Sequence, residues 1–283
     1  MHSLTAPLAS DPAPGARPAG VTDPAAAAAN IQQMFDTIAP TYDRANHILS
    51  LGIDRYWWSR AARALRPILQ RPESVVLDLC CGTGDLTLAL DKHRPKAGPS
   101  LYGLSLHHKK SGAASRTRSQ KPGTIAPILA VDFSHAMLAL GQKKFAGRNI
   151  VAIEADALHL PLADASVDLA TFAFGFRNLS DYPAGLAELY RVLRPSGEIA
   201  ILDFNQPAGP LGLGYNAYFK HILPRVGGVI SRDPAAYTYL PDSVARFPRP
   251  PQMKALIAAA GFVQPTWRRY TFGIAGLYRA AKP

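Results

Sequence analysis

Cysteine is scarce in this chain, which has only two among its 283 residues, the adjacent Cys80 and Cys81. Because adjacent cysteines close no loop between distant parts of a chain, a disulfide framework is excluded and a reducing compartment is indicated. No stretch approaches the roughly 18 consecutive apolar residues that span a bilayer. The N-terminus also lacks the basic start and apolar core of a secretory signal. We therefore expect a cytoplasmic protein that is soluble or held peripherally at the inner face of the cytoplasmic membrane.

Acidic residues are missing from one long stretch, between Asp91 and Asp132. Eight of the 31 Lys and Arg residues lie in that stretch, and the remaining 23 nearly balance the 20 Asp and Glu residues. The formal charge of +11 therefore reflects one segment of the chain rather than its whole surface. We interpret this segment as a solvated loop rather than a phosphate-binding face, and expect no nucleic-acid partner.

The hydrophobic content of 48% is enough to bury a full core. From residue 75 onward, strand and helix patterns alternate, which predicts a three-layer α/β domain with an antiparallel finish. The predicted organisation has five parts: a disordered Ala/Pro-rich tail at 1–29, a helical cover at 30–70, the main domain at 71–283, a basic insertion within it at about 97–124, and a substrate lid at about 207–247.

An apolar strand runs directly into a glycine-rich turn that contains Gly82 and Gly84. Glycine lacks a Cβ atom, so the backbone can turn sharply there and a ligand can lie against it. The carboxylates of Asp78 and Asp85 would repel a dinucleotide's pyrophosphate, but they suit the cationic amino-acid end of S-adenosylmethionine. Thr87 also replaces the third glycine of a dinucleotide fingerprint. The turn therefore favours S-adenosylmethionine over NAD.

Asp132 is the candidate ligand of a ribose. In nucleotide-binding units, an acidic residue about 20 positions beyond the glycines accepts hydrogen bonds from the ribose hydroxyls. Asp132 lies 50 residues beyond Gly82, but removing the 28 residues of the insertion restores a spacing of 22. We therefore interpret Asp132 as the ribose ligand.

Several runs of residues together form a pattern that resembles a known family. They are Met34-Phe35-Asp36 with Ala39-Pro40-Thr41-Tyr42-Asp43, Leu79-Cys80-Cys81-Gly82-Thr83-Gly84-Asp85, Asp132-Phe133-Ser134, Phe174-Gly175-Phe176-Arg177-Asn178, Tyr190-Arg191-Val192-Leu193-Arg194-Pro195-Ser196-Gly197, Leu202-Asp203-Phe204, Leu223-Pro224-Arg225-Val226-Gly227 and Tyr237-Thr238-Tyr239-Leu240. The chain resembles the ubiquinone/menaquinone C-methyltransferases, within the class I S-adenosylmethionine-dependent methyltransferases. The resemblance implies a Rossmann-like, mostly parallel seven-stranded sheet with an antiparallel final strand.

The resemblance also implies the residues that hold S-adenosylmethionine. Thr83 and Asp132 would contact it, and Asp156 and Ala157 would hold the adenine. A further contact, often made by Ser in the family, falls here on Ala173, which has no side-chain hydrogen bond to offer.

Such enzymes methylate a ring carbon of a polyprenyl quinol, and we favour demethylmenaquinol as the substrate. The sulfonium is itself the electrophile, so no metal is expected. We expect Arg177 to stabilise the developing oxyanion, and Asn178 to orient the quinol or a water that takes the proton. The alternative for Arg177 is a structural clamp on Asp43 or Asp85.

Four further residues are candidates for contact with the quinol. Tyr42, Phe174 and Tyr239 are aromatic, and His221 could act as a base because imidazole titrates near neutrality. Each also has a structural interpretation, as a core aromatic or a hydrogen-bonded histidine.

Three other functions stay open on the sequence. The first is the same chemistry on a polyprenyl benzoquinol of ubiquinone biosynthesis, the second an RNA methyltransferase that grips phosphates with the basic insertion, and the third a cofactor-binding partner without catalysis. The resemblance is also compatible with transient contact with a membrane surface and with a homodimer.

Overall fold

The computed structural model describes residues 15, 16, 21, 23–96, 125–207, 212, 214, 215, 218 and 234–283, the side chains being described from 239 onward in the last of these ranges. The helices are α1 Pro24–Ile38, α2 Tyr42–Leu49, α3 Ile53–Ala64, α4 Arg66–Leu69, α5 Asp85–Asp91, α6 His135–Phe145, α7 Tyr182–Val192, α8 Pro234–Arg246 and α9 Pro250–Ala259. The strands are β1 Val76–Leu79, β2 Ile128–Asp132, β3 Ile150–Glu154, β4 Val167–Ala173, β5 Leu193–Phe204, β6 Val263–Tyr270 and β7 Ala275–Ala281. Short 3-10 turns lie at 39–41, 176–178 and 271–273.

The seven strands form one sheet in the order β3-β2-β1-β4-β5-β7-β6. Strands β1 to β5 pair in parallel, and β7 pairs antiparallel with both β5 and β6. The predicted α/β class, with a mostly parallel seven-stranded sheet and an antiparallel finish, is confirmed.

The sheet is buried on both faces, as the continuous apolar character of its strands predicts. On one face, Leu77 and Phe172 pack against Leu186 of α7 and Ile257 of α9. On the other face, Val76 and Leu169 pack with buried residues of α3 and α5, namely Trp57, Ala61, Leu86 and Leu90. The helical cover therefore contributes directly to the core of the main domain.

The N-terminal helix begins earlier than the sequence predicts. Asp23 accepts a hydrogen bond from the Ala26 amide at 2.7 Å, and Pro24 occupies the first helical turn. An aspartate cap, a proline at the start and the alanines that follow all favour helix. The tail boundary at residue 29 is therefore wrong, because 24–29 belong to α1.

The register of the sheet brings the ligand-binding edge together. Leu79 of β1 is level with Val131 of β2 and with Phe172 of β4. The glycine turn, Asp132 and the loop after β4 consequently lie side by side at the carboxyl ends of the central strands, where ligands bind in open α/β sheets. The insertion at 97–124 and most of 207–247 lie outside the described residues.

Candidate active site

The glycine turn is held in a left-handed backbone conformation. Gly82 has a φ of 56° and Gly84 a φ of 89°. A Cβ atom on Gly84 would also overlap the ring of Phe145 on α6. Both the backbone angle and the packing therefore require glycine at position 84.

Asp132 lies beside this turn. One carboxylate oxygen accepts a hydrogen bond from the Gly82 amide at 2.7 Å, and the other from the Ser134 amide at 2.9 Å. Burial raises the pKa of Asp132 to about 6, although these amides lower it by stabilising the charged form. The predicted convergence of Asp132 with the glycine turn is thus present in the structure.

A recess of about 60 Å³ adjoins this pair, and we call it the nucleoside recess. Its wall includes Gly82, Asp132, Asp156, Ala157 and the apolar side chains of Val131 and Met137. Asp156 is oriented locally, because its carboxylate accepts the Leu158 amide at 2.9 Å. The structure therefore brings together four residues that the sequence assigns to cofactor binding.

The residues of the recess fit a nucleoside. Carboxylates lie at its polar end and apolar side chains form the remaining wall. At Gly82 the nearest atom to an added Cβ would be in the Tyr42 ring, 4.0 Å away, so a ligand can approach the backbone there.

Asp78 and Thr83 are occupied by contacts within the protein. Asp78 accepts the hydroxyl of Thr87 at 2.6 Å and that of Thr171 at 2.7 Å, and burial raises its pKa to about 6. Thr87, the residue in place of a third fingerprint glycine, is therefore a partner of Asp78. The hydroxyl of Thr83 donates to Asp43 at 2.5 Å.

A larger cavity of about 510 Å³ lies next to the recess, and we call it the aromatic cavity. The two share wall residues, including Tyr42, Cys80, Gly82 and Phe174. The aromatic side chains of its wall are Phe35, Tyr42, Trp57, Trp58, Phe174, Phe204, Tyr215, Tyr218 and Tyr239. Of the four predicted quinol contacts, Tyr42, Phe174 and Tyr239 line this cavity, and His221 lies outside the described residues.

The loop after β4 turns abruptly at Phe174 and Gly175. Phe174 has a φ of 58°, a left-handed angle that is costly for a bulky residue. A Cβ on Gly175 would overlap the Cβ of Cys80, so the two strand ends approach closely only because Gly175 is glycine. This turn directs Arg177 into the cleft.

Arg177 is buried and lines the aromatic cavity. Its Nη1 donates to Asp203 at 3.0 Å and to the carbonyl of Phe174, and its guanidinium carbon lies 5.3 Å from the centre of the Phe204 ring. Its Nε is buried without a hydrogen-bond partner. Burial, the largest single effect, lowers the pKa of Arg177, but the charge of Asp203, its hydrogen bond and the nearby Tyr42 and Tyr239 together raise it.

The predicted alternative for Arg177, a clamp on Asp43 or Asp85, is wrong. Lys144 of α6 makes both contacts, at 2.6 Å to Asp43 and 3.2 Å to Asp85. Arg177 cannot replace it because Arg177 is paired with Asp203 on β5.

Asn178 follows Arg177 but lines the nucleoside recess. Its Oδ1 accepts the hydroxyl of Tyr239 at 3.0 Å, and burial raises the pKa of that tyrosine to about 12. Arg177 and Asn178 are adjacent in the chain but line different compartments. Tyr239 of α8 lines the aromatic cavity and donates its hydroxyl to Asn178.

Sequence reasoning missed a buried acid on the aromatic cavity. Asp54, at the start of α3, lines the cavity, and its Oδ2 lies 2.6 Å from Nδ1 of His47 on α2. Gly52, with a φ of 74°, makes the turn between the two helices and brings the pair together. The available signal was Gly52-Ile53-Asp54 at the junction of two amphipathic helices. Asp203, within the Leu-Asp-Phe run, had no predicted role.

Comparison with known proteins agrees with this geometry. A sequence model of the ubiE/COQ5 methyltransferase family matches residues 24–282. The demethylmenaquinone methyltransferase of Deinococcus radiodurans is 40% identical over 88% of this chain and 90% of its own length. That of Thermus thermophilus is 39% identical over 88% and 100%. The ubiquinone/menaquinone biosynthesis C-methyltransferase UbiE of Geotalea daltonii is 39% identical over 89% and 96%.

Solved structures share the fold at low sequence identity. A SAM-dependent methyltransferase from Thermotoga maritima superposes with a TM-score of 0.55 at 18% identity, covering 89% of this chain and 99% of that one. Another from Aquifex aeolicus gives 0.51 at 17% identity, covering 79% and 89%. The chain belongs to the ubiE/COQ5 methyltransferase family.

Proposed function

We propose that the protein transfers a methyl group from S-adenosylmethionine to a ring carbon of demethylmenaquinol, the last step of menaquinone biosynthesis. One observation carries the proposal: a buried guanidinium, with no partner for its Nε–H among the described residues, lines an aromatic cavity that adjoins the recess beside Asp132 and the glycine turn. The names of the Deinococcus and Thermus relatives support the same substrate.

The nucleoside recess would hold S-adenosylmethionine. Asp132 would accept hydrogen bonds from its ribose hydroxyls, and Asp156 and Ala157 would flank the adenine. Gly82 and Gly84 would let the ligand lie close to the backbone, and the acidic side chains near the turn suit its cationic end. When bound, S-adenosylmethionine supplies an electrophilic methyl group.

The aromatic cavity would hold the quinol ring. Its volume of about 510 Å³ is in the usual range for small-molecule sites. Deprotonation of the ring hydroxyl places negative charge on the oxygen and on the ring carbon ortho to the C–O carbon. Arg177 is placed to stabilise that oxygen through its free Nε–H and its positive charge, in a site where burial strengthens the interaction. Tyr239 lines this cavity and donates to Asn178 in the neighbouring recess, so Asn178 would act on the ring through Tyr239.

The proposed reaction also needs an acceptor for the proton of the ring hydroxyl. Among the described carboxylates that line the aromatic cavity, Asp78 is hydrogen-bonded by two threonines and Asp85 is paired with Lys144. Asp54 is paired with His47, so a proton passed to this pair can be shared between a carboxylate and an imidazole. We assign the acceptor to the His47–Asp54 pair.

The second candidate is the polyprenyl benzoquinol of ubiquinone biosynthesis, and the name of the Geotalea relative favours it equally. Both quinols are flat and hydroxylated, so the aromatic wall suits either. An RNA methyltransferase would rely on the basic insertion, which lies outside the described residues, and the family match favours a quinone substrate. A cytoplasmic location and a homodimer stay predictions.

The deciding experiment incubates the purified protein with methyl-labelled S-adenosylmethionine and reduced demethylmenaquinone, in parallel with the benzoquinol and with RNA. We expect label in the menaquinol, as measured by chromatography and mass spectrometry. Labelling of the benzoquinol alone would favour the second candidate, and labelling of RNA alone would overturn the proposal.

A further inference from the structure

The two most exposed large apolar side chains among the described residues, Leu51 and Phe272, lie near the aromatic cavity. Leu51 is 85% exposed and Phe272 78%, and three further exposed side chains lie on α2 and α3: Ile48 at 51%, Ile53 at 37% and Tyr56 at 52%. We call these five residues the apolar rim. In the described part of the chain, the other exposed large apolar side chain is Val263, at the far end of β6.

The apolar rim is continuous with the cavity. Leu51 and Ile53 line the cavity and are exposed to solvent, so the cavity opens at this point. Trp57 donates to the Thr271 hydroxyl at 2.7 Å, which fixes the turn that carries Phe272 beside α3. A long substituent on a molecule in the cavity would leave the protein between these side chains.

Leu51 and Phe272 share an unusual backbone conformation. Their φ angles are 52° and 56°, in the left-handed region that bulky side chains rarely adopt. Each turn thus holds a large apolar side chain in water at a cost in backbone energy. Such costs persist mainly where a function retains them.

The charge around the apolar rim is positive. Arg44 on α2 and Arg55 in the first turn of α3 are exposed. Arg268 and Arg269, also exposed, precede the turn with Phe272. The acidic residues of 42–66 are both engaged, Asp43 with Lys144 and Asp54 with His47. The surface therefore combines apolar side chains with exposed cations, which suits an anionic lipid surface.

We propose that the apolar rim inserts into the surface of an anionic lipid bilayer, so that the isoprenoid tail of the quinol passes between bilayer and cavity without crossing water. The inference rests on the proposed function, because a substrate with an isoprenoid tail requires the open mouth of the cavity to face lipid. A protein partner would also accept an apolar patch, but it would not explain why the patch surrounds the mouth of a substrate cavity.

The test uses the full chain and vesicles of phosphatidylcholine with or without phosphatidylglycerol. The variant combines Ile48→Gln with Phe272→Asn, since neither side chain lines the cavity and asparagine tolerates a left-handed backbone. Val263→Gln is the matched control, an exposed apolar residue outside the rim. In co-sedimentation, we expect binding to the anionic vesicles to weaken about tenfold in the double variant and not in the control.

Methylation separates this inference from the proposed function. Wild type and double variant should methylate a short-tailed, water-soluble quinol at equal rates. With the long-tailed quinol in vesicles, the double variant should be about tenfold slower than wild type. If wild type methylates the soluble quinol, but the double variant binds vesicles as wild type does, the membrane inference is overturned. Binding of the apolar rim to a protein in the absence of vesicles would also overturn the membrane inference. If neither quinol is methylated, it is the proposed function that fails.

Discussion

The nucleoside recess and the aromatic cavity are neighbours that are built in different ways. In the recess, Asp132 is fixed by backbone amides of the adjoining turn and of its own strand end. The cavity draws its wall from α1, α2, α3 and α8, the ends of β4 and β5 and the turn before β7. Its central cation, Arg177, lies in the turn after β4, is fixed by Asp203 on β5, and has no partner for its Nε among the described residues. The carboxylate of the recess is thus fixed by backbone amides, and the cation of the cavity by a side-chain ion pair.

Replacing Arg177 by alanine should give the largest effect and test the side-chain ion pair of this comparison. Loss of one oxyanion donor costs about 10²–10³-fold in turnover, and loss of the charge adds to it. Asp203 would stay buried without its partner, at a cost of about 3–5 kcal/mol in the free energy of unfolding. Cofactor affinity, measured by calorimetry, should stay within a few-fold. Steady-state kinetics measures the turnover, and denaturant unfolding measures the free energy of unfolding.

Two companion variants separate catalysis from stability. Arg194→Ala removes a half-exposed arginine from its pair with Asp168 at 2.5 Å, and should cost no more than about 1 kcal/mol. Combining Arg177→Met with Asp203→Leu removes both buried charges and should recover much of the lost stability without recovering turnover. An active double variant would contradict the role of Arg177.

Asp54→Asn should produce the next largest effect, because it removes the proposed proton acceptor while keeping the shape of the side chain. We expect turnover to fall by about 10²-fold, with cofactor affinity unchanged. Asp91→Asn is the matched control, since Asp91 pairs with Arg148 away from both compartments. Full activity of the Asp54 variant would show that the pair with His47 only joins α2 to α3.

The smallest effect should be the pH dependence of cofactor binding, which tests the carboxylate that backbone amides fix. The pKa of Asp132 is raised to about 6. In the proposed function, the ribose hydroxyls would donate to its charged form. Affinity should therefore be full above pH 7 and fall by about tenfold by pH 5, where about one carboxylate in ten is charged. Asp78, with its pKa also raised to about 6, would share this transition.

Asp132→Asn is the variant that sharpens this test. It should weaken binding about tenfold to a hundredfold at pH 8, because hydrogen bonds to a charged acceptor are lost, and it should flatten the profile below pH 7. A profile that is equally steep in the variant would mean that another group controls the transition.

The same comparison explains what the sequence could predict. The glycine turn, Asp132 and the alternation of strands and helices follow from local patterns, and their meeting follows from the rule that parallel strands end at one edge. The pairing of Arg177 with Asp203 joins the turn after β4 to β5, so no local pattern reveals it, and the structural alternative for Arg177 named Asp43 or Asp85 instead. The His47–Asp54 pair depends on the angle between two helices. The early start of α1 was missed because an alanine run was interpreted by its composition rather than by its cap at Asp23.

The wall shared by the two compartments has a pharmacological consequence. Tyr42, Cys80, Gly82 and Phe174 border both, so a molecule in one compartment would lie within the width of a residue of a molecule in the other. An inhibitor that links an adenosine to a flat phenol would engage both sets of contacts at once. The second half would then bind at the high effective concentration set by a short linker. Its selectivity would come from the phenol half, since the adenosine half meets features common to the whole fold.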